Sequence, residues 1–370
     1  MSSAELLRGR LDRARVAATE AGVGALVIAP GSDLRYLLGG TVVSHERFTG
    51  LVLPAEGEPV LVVPKLEAAG YDPYDLPGLG VDTATWVDGE DPYALVARLV
   101  GAPGAVAVGD MLPAVHVLGL RGALPGAEQA LAGPVLRGLR MRKDAAEVEQ
   151  LRRAGAAIDR VHARMGEWLR AGRTEAEVAA DIGAAIVAEG HASAEFVIVG
   201  SGPNGASPHH EVSDRVITAG DVVVVDIGGP LPSGYCSDST RTYAVGEPRD
   251  ADVAESYEVL RRAQAASVAS VRPGVSAESV DAAGREVLAD AGLGEFFIHR
   301  TGHGIGLDVH EHPYIVAGNE LVLEPGMAFS VEPGVYLPGR WGARIEDIVV
   351  VTDTGVEPLN TRPHELVVLG

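Results

Sequence analysis

The run Val222-Val223-Val224-Val225-Asp226-Ile227-Gly228-Gly229, joined by Pro230-Leu231-Pro232-Ser233-Gly234 to a second run that begins Asp238-Ser239-Thr240-Arg241-Thr242-Tyr243, decides how this chain folds. Four successive β-branched residues read as a buried strand, and Asp226 closes them. The connecting residues are turn formers, so the two runs form a hairpin that brings Asp226 and Asp238 to one end. Burying a carboxylate behind four valines costs several kcal/mol unless a cation or hydrogen-bond donor compensates. For this pair alone two readings stand: a metal site, or a strand end that is solvated or paired with Arg241.

Other segments add to the same constellation. Glu332 lies in Phe329-Ser330-Val331-Glu332-Pro333-Gly334-Val335-Tyr336, and Glu346 in Ala343-Arg344-Ile345-Glu346-Asp347-Ile348-Val349. Leu337-Pro338-Gly339-Arg340-Trp341-Gly342 between them reads as a turn, giving a second hairpin with each glutamate in an apolar strand. Arg344 and Glu346 are two apart and would share a strand face. His303 sits between glycines in Thr301-Gly302-His303-Gly304-Ile305-Gly306, with His310 following; such glycines mark close approach of backbone or ligand. His209 and His210 close the loop Ser201-Gly202-Pro203-Asn204-Gly205-Ala206-Ser207-Pro208, and alone they read as exposed loop imidazoles. Together, two aspartates, two glutamates and one histidine suit Mn²⁺, Co²⁺ or Zn²⁺ better than a thiolate-binding ion. Four carboxylates balance two divalent ions, and two ions roughly 3.5–4 Å apart can hold a bridging hydroxide and polarise a carbonyl.

The rest of the chain divides in two. With 370 residues and roughly 150 residues per domain as a prior, two domains are expected. Residues 5–20 carry helical spacing, and strand-like runs follow near 25–29, 50–53, 59–63 and 105–108, with helices near 92–100 and 113–122. This alternation predicts an α/β layer over about the first 135 residues. Around 137–145 the texture becomes basic, and a long helical pattern covers 146–170, with Asp144 as N-cap and Glu147 at capping-box spacing. The domains are therefore expected at 1–138 and 139–370. In the second, helices are expected near 174–189, 252–271 and 276–291. Strands are expected at 195–200, 221–228, 238–245, 327–336 and 343–352, an α+β pattern. Its two halves share a helix, helix, strand, strand order that points to internal duplication.

Composition narrows the function classes. Hydrophobic residues make up 46% and charged residues 22%, which supports a packed core and excludes general disorder. Asp+Glu 51 against Lys+Arg 30 gives a formal charge of −21, which argues against nucleic acid and against an anionic membrane as partners. The single cysteine, Cys236, excludes an internal disulfide framework. No apolar run approaches the ~18 residues of a membrane span, and the N-terminal residues show no secretory pattern, so a soluble cytoplasmic protein is expected.

Taken together, these blocks resemble the "pita-bread" metallopeptidase family M24, which contains prolidase (Xaa-Pro dipeptidase), aminopeptidase P, methionine aminopeptidase and creatinase. The resemblance covers about residues 139–370, and residues 1–135 are similar to the creatinase/prolidase N-terminal domain. It implies that Asp226 is a terminal ligand of the first metal and that Asp238 and Glu346 bridge both metals. His303 and Glu332 would hold the second, with Glu332 also a proton shuttle. His209 and His310 would contact substrate and stabilise the tetrahedral intermediate. His299 would border the proline pocket, and Tyr336 and Arg344 would orient the ligands. The Asp226–Asp238 connection is one residue longer than the family pattern, which would reshape the pocket rim.

Retention of all five ligands disfavours creatinase chemistry, and the N-terminal domain disfavours methionine aminopeptidase. The activity implied is hydrolysis of an Xaa-Pro bond at the N-terminus of short peptides, with aminopeptidase P or a dual activity ahead of prolidase. Two divalent ions are implied, Mn²⁺ first and Co²⁺ or Zn²⁺ after it, and a homodimer. The alternatives are a specialised amide or ester hydrolase of a biosynthetic pathway and a non-catalytic binding module.

Overall fold

The apolar runs of the first third of the chain become strands because each is short, rich in β-branched residues and bounded by turn formers. The computed structural model describes residues 3–42 and 44–370; Met1 and Ser2, part of the N-terminal stretch read above, lie outside the described residues. Two compact units divide between Arg140 and Met141. Among the described residues no helix is long and apolar enough to cross a membrane.

The first unit runs α1 (Ser3–Glu20), β1 (Ala25–Ile28), α2 (Ser32–Leu38), β2 (Gly50–Pro54), β3 (Val60–Pro64), α3 (Leu76–Leu79), β4 (Asp82–Trp86), α4 (Pro92–Val100), β5 (Ala105–Val108), α5 (Ala114–Ala123), β6 (Glu128–Leu131) and α6 (Gly133–Met141). Its sheet has the order β4-β3-β2-β1-β5-β6. The central strand β1 pairs antiparallel with β2 and parallel with β5, and all its residues are buried. The sequence reading missed β4, β6, α2, α3 and α6. Strands β4 and β6 are the sheet edges, largely exposed and polar, so they lack the apolar signal of a central strand. Helix α2 is too short for a helical period to emerge.

The second unit opens with α7 (Ala145–Ala163), which carries the expected capping box of Asp144 and Glu147. The helix stops at Ala163, short of the predicted 170, and the apolar residues beyond it continue through a tight 3-10 turn over Met165–Glu167. Then follow α8 (Glu175–Ala188), β7 (Phe196–Ser201), β8 (Val222–Pro230), β9 (Cys236–Val245), α9 (Val253–Ser270), α10 (Ala277–Asp290), β10 (Gly302–Gly304), β11 (Glu311–Ile315), β12 (Ala328–Val331), β13 (Gly334–Leu337), β14 (Trp341–Arg344), β15 (Asp347–Val351), β16 (Val356–Pro358) and β17 (Val367–Leu369). One sheet has the order β17-β9-β8-β7, a second β11-β10-β12-β15-β16, and β13 and β14 form a separate pair.

Each of the two larger sheets has helices on one face. Val223, Val225 and Ile227 of β8 pack with Ile158 and Val161 of α7 and with Val178, Ile182 and Ile186 of α8. Phe329 and Val331 of β12 and Val349 and Val351 of β15 pack likewise with Ala277 and Val280 of α10. Each such fully buried side chain contributes about 1.5–3 kcal/mol. Because side chains alternate along a strand, this packing sends Asp226 and Gly228 to the opposite face.

The helix pairs also begin alike, in agreement with an internal duplication. Thr174 bridges to Val216 ahead of α8, and Ser276 bridges to Val322 ahead of α10. The Glu175 amide donates to Arg215 and that of Ala277 to Leu321; the Ala176 amide donates to Ser213 and that of Glu278 to Asn319.

Two expectations about the hairpins are corrected. Asp226 does not end its strand: β8 continues through Pro230, and in register Asp226 faces Thr240 while Asp238 faces Gly228. The two aspartates meet because they share one face of the sheet, not because they share its end. The runs 327–336 and 343–352 are each two strands. Pro333 has no amide to continue a ladder, so β12 breaks at Glu332, and its partner strand breaks at Ile345-Glu346. Strands β13 and β14 do form the expected hairpin, while β12 and β15 pair in the larger sheet, so Arg344 and Glu346 do not share one strand.

Strand β14 passes so close to the loop after β7 that a Cβ on Gly342 would overlap the Gly205 carbonyl. Gly342→Ala is expected to destabilise the protein by about 1–3 kcal/mol through this overpacking, read from the denaturation midpoint in urea. An unchanged midpoint would mean that the loop yields freely.

Candidate metal centre and active site

A cavity of about 620 Å³ opens onto the helix-free faces of the second unit, lined by Asp226, Asp238, His303, Glu332 and Glu346 together with His209, His299, Arg300, His310 and Arg344. Its remaining walls are Phe196, Ile198 and Pro208. Of the residues to which the resemblance assigns a role, Tyr336 alone is not in the lining, and its hydroxyl bonds to Arg344 and His299, which are. The turn after Pro230 supplies no lining residue.

Each acidic residue arrives from a different local feature. Asp226 and Asp238 come from adjacent strands, and Glu332 and Glu346 from the two strand breaks. His303 is at the middle of β10, whose flanking glycines let the strand slip between its neighbours. A Cβ at Gly302 would overlap the Ser330 carbonyl, and one at Gly304 the carbonyl of His312. Asp238, His303 and Glu346 each present a ligand atom within 4.8 Å of the others.

The hydrogen bonds fix the orientation of the ring. His303 Nδ1 is 3.1 Å from the Gly304 carbonyl, to which it can only donate. Its Nε2 then faces Asp238 at 3.5 Å and Glu332 at 3.2 Å. Ser330 Oγ accepts from the His303 backbone amide and donates to Glu332 Oε1, tying the His303 backbone to that carboxylate. Glu346 accepts from Thr240 Oγ1 at 2.7 Å, and its own amide donates to the Thr240 carbonyl.

Arg344 is the buried cation of the site. It donates to Asp226 Oδ2 at 2.6 Å, to Thr240 Oγ1 at 3.1 Å and to the Tyr336 hydroxyl at 2.7 Å. The Tyr336 hydroxyl lies 2.8 Å from His299 Nε2, and His299 Nδ1 lies 2.7 Å from the Arg300 carbonyl. Since that carbonyl only accepts, Nδ1 donates and Nε2 accepts from tyrosine. A chain therefore runs from Arg344 through Tyr336 to His299. The ion pair with Arg241 considered for the aspartates is not found: Arg241 binds Asp347 at 2.7 Å, and Asp226 pairs with Arg344.

The residues present fit divalent cations. Asp226 Oδ1 and Glu346 Oε1 are buried without a hydrogen-bond partner, which carboxylate oxygens rarely tolerate. Burial, then the carboxylate of Glu346, then those of Asp226 and Glu332, push Asp238 well above the usual carboxylate range. Burial with Glu332 and Asp226 does the same to Glu346. Burial works against the charge on Glu332 too, yet the hydrogen bond and charge of His303, with His299 and Arg344, hold it at about 2. One arginine cannot neutralise four carboxylates in so small a volume. The donors are oxygens with one imidazole, the set expected for a hard or borderline ion.

Two imidazoles stand at the cavity mouth. His209 is exposed on the loop after β7, whose Pro208 carbonyl accepts from Arg344 at 3.4 Å. His310 lies with its ring centroid 4.1 Å from that of His303. Partial burial, with His303 and Arg300 beside it, pushes His310 down to about 4, so its ring is neutral at neutral pH. Sequence reading missed Arg300, whose guanidinium packs on the Tyr314 ring, and the wall residues Phe196 and Ile198. The last two were legible as alternate positions of β7; Arg300 carried no signal beyond lying next to His299.

Comparison with known proteins agrees with this geometry. Residues 149–353 match the model of metallopeptidase family M24, and residues 10–142 that of the creatinase/prolidase N-terminal domain. A probable dipeptidase PepE of Mycobacterium tuberculosis is 60% identical over 367 residues, covering 99% of this chain and 97% of its own length. An Xaa-Pro dipeptidase of Lactobacillus helveticus is 36% identical over 345 residues, covering 91% and 92%. The crystal structure of dipeptidase PepE from Mycobacterium ulcerans superposes with a TM-score of 0.95 at 60% identity, over 100% of this chain and 99% of that one. The chain therefore belongs to metallopeptidase family M24, in its Xaa-Pro dipeptidase and aminopeptidase branch, and is an enzyme with a creatinase-type N-terminal domain and a pita-bread catalytic domain.

Proposed function

We propose that the enzyme hydrolyses the Xaa-Pro bond of dipeptides, using two divalent ions held by Asp226, Asp238, His303, Glu332 and Glu346. The observation that carries this reading is the buried cluster itself, with unpartnered oxygens on Asp226 and Glu346 facing a cavity of peptide size. When bound, the ions supply Lewis acidity and activate water; Mn²⁺ is the first candidate and Co²⁺ or Zn²⁺ the next. The remaining work falls to the chain's own side chains. Glu332 takes the proton of the attacking water and passes it to the proline nitrogen as that nitrogen leaves. His209 and His310 face the substrate carbonyl from the mouth and donate hydrogen bonds to the oxygen on which charge develops. His299, held by Tyr336, borders the proline ring together with Phe196.

Sequence reasoning placed aminopeptidase P or a dual activity first, and the structure favours the dipeptidase order. Arg300 is a second cation on the cavity wall, and unlike Arg344, which is paired with Asp226, it packs on the Tyr314 ring. A dipeptide ends in a free carboxylate that such a cation would take, whereas a longer peptide carries an amide there. The two curated relatives described above carry dipeptidase names. The same reading takes the enzyme as a cytoplasmic homodimer, for which light scattering at micromolar concentration should give twice the mass of one chain.

The test is proline release from Gly-Pro and Ala-Pro beside cleavage of Ala-Pro-Ala and a Met-Ala control, with metal-stripped enzyme given Mn²⁺, Co²⁺ or Zn²⁺. Metal-dependent cleavage of the dipeptides alone is expected. Cleavage of the tripeptide would make the enzyme an aminopeptidase P, and no cleavage with metal bound would point to a specialised hydrolase. His310→Ala is expected to lower kcat roughly 10²-fold with both ions still bound. Loss of metal in that variant would instead make His310 a ligand.

A further inference from the structure

Glu175, the first residue of α8, is fully buried, and neither its charge nor its place is used by the chemistry above. Its carboxylate is the centre of the loop that carries His209. Oε1 accepts from the Ser201 amide at 2.8 Å and from the Ser201 hydroxyl at 2.7 Å, at the end of β7. Asn204 Nδ2 reaches both carboxylate oxygens at 3.1 Å. Oε2 also accepts from His210 Nε2 at 2.8 Å and from Ser213 Oγ at 2.7 Å. One side chain thus grips the loop at its start, in a 3-10 turn over Gly202–Ala206, beside His209 and at its end. Burial disfavours this charge, but the hydrogen bonds from Ser201, Ser213 and His210 outweigh it and hold Glu175 below the usual carboxylate range.

The grip matters because His209 is exposed, so its position depends on its backbone. On its other side the loop rests on β14, through the close approach of Gly205 to Gly342 and the bond from Arg344 to the Pro208 carbonyl. The loop is therefore clamped between the strand that carries Arg344 and the first turn of α8. We propose that Glu175 is a positioning residue of the reaction: through Ser201, Asn204, His210 and Ser213 it sets the place of His209 over the acidic cluster. This rests on the role given to His209 above.

Glu175→Gln keeps the shape but replaces one acceptor by an amide donor, and the groups around it are largely donors. The expected result is a kcat roughly 10–100-fold lower, with KM little changed and metal content equal to that of the parent. Two readouts separate positioning from plain stability. In a double-mutant cycle, Glu175→Gln combined with His209→Ala should be no slower than His209→Ala alone, because both act through one imidazole. Hydrogen exchange over 202–213 should speed up in Glu175→Gln while α7 and β8 keep their protection. Additive losses in the cycle, lost metal or unchanged loop exchange would overturn the proposal. Should Glu175→Gln fail to fold, Ser213→Ala removes one donor and enters the same cycle. If the parent enzyme cleaves no Xaa-Pro dipeptide, the substrate reading fails, and the exchange comparison decides the loop by itself.

Discussion

Asp238→Ala is expected to lose activity and metal together. Asp238 belongs to the one group of three ligand residues whose donor atoms all lie within 4.8 Å of one another among the described residues. Replacing even an indirect partner of a metal site weakens it by roughly 10–100-fold, so removing Asp238, a direct oxygen donor in the function proposed above, should lower turnover by roughly 10³-fold or more. The fold itself should tolerate the change. Burial and the carboxylates of Glu346, Asp226 and Glu332 all oppose a charge on Asp238, so its removal relieves repulsion when metal is absent. Elemental analysis, turnover and thermal unfolding of the stripped protein check the three parts. Full activity with the parent's metal content would refute the assignment.

Arg344→Met should show the opposite pattern, a large loss of stability that metal partly restores. The guanidinium is 2% exposed and donates to Asp226, Thr240, Tyr336 and Pro208. Taking one partner from a buried ion pair leaves the other charge uncompensated, at about 3–5 kcal/mol. For a unit of this size that is roughly 6–20 °C in Tm. Divalent ions beside Asp226 would supply part of the missing charge, so the fall should be smaller in loaded enzyme than in stripped enzyme. Calorimetry of both forms tests this. Equal Tm values for parent and variant in the stripped state would mean that Asp226 does not need the arginine. Turnover should fall as well, because the chain through Tyr336 to His299 begins at Arg344.

The acidic constellation was legible because carboxylates rarely sit in apolar runs. Asp226 after four valines, Glu332 and Glu346 beside buried β-strands and His303 between glycines each break a local rule, and each lines the cavity. The same logic located the capping box at Asp144 and the turn at Pro338-Gly339. It failed for β4 and β6, because an edge strand exposes a polar face and carries no alternation against a core. It also ran the strands through Glu332 and Glu346. Pro333 marked the first break, but the second follows from the partner strand leaving the sheet, a non-local cause.

The sequence by itself determined which residues could form the acidic cluster, because hydrophobic period and turn chemistry are local properties written residue by residue. It determined the α/β and α+β character of the two parts in the same way. Only the tertiary structure decided how those residues meet. Register across β8 and β9 put Asp226 and Asp238 on one face, the strand breaks turned the two glutamates to that face, and Arg344 took Asp226 where Arg241 had been the partner considered. The seat of the His209 loop on Glu175 belongs to the same class. Such pairings depend on which backbones approach across long sequence separations, and no period or motif along a single chain encodes that distance.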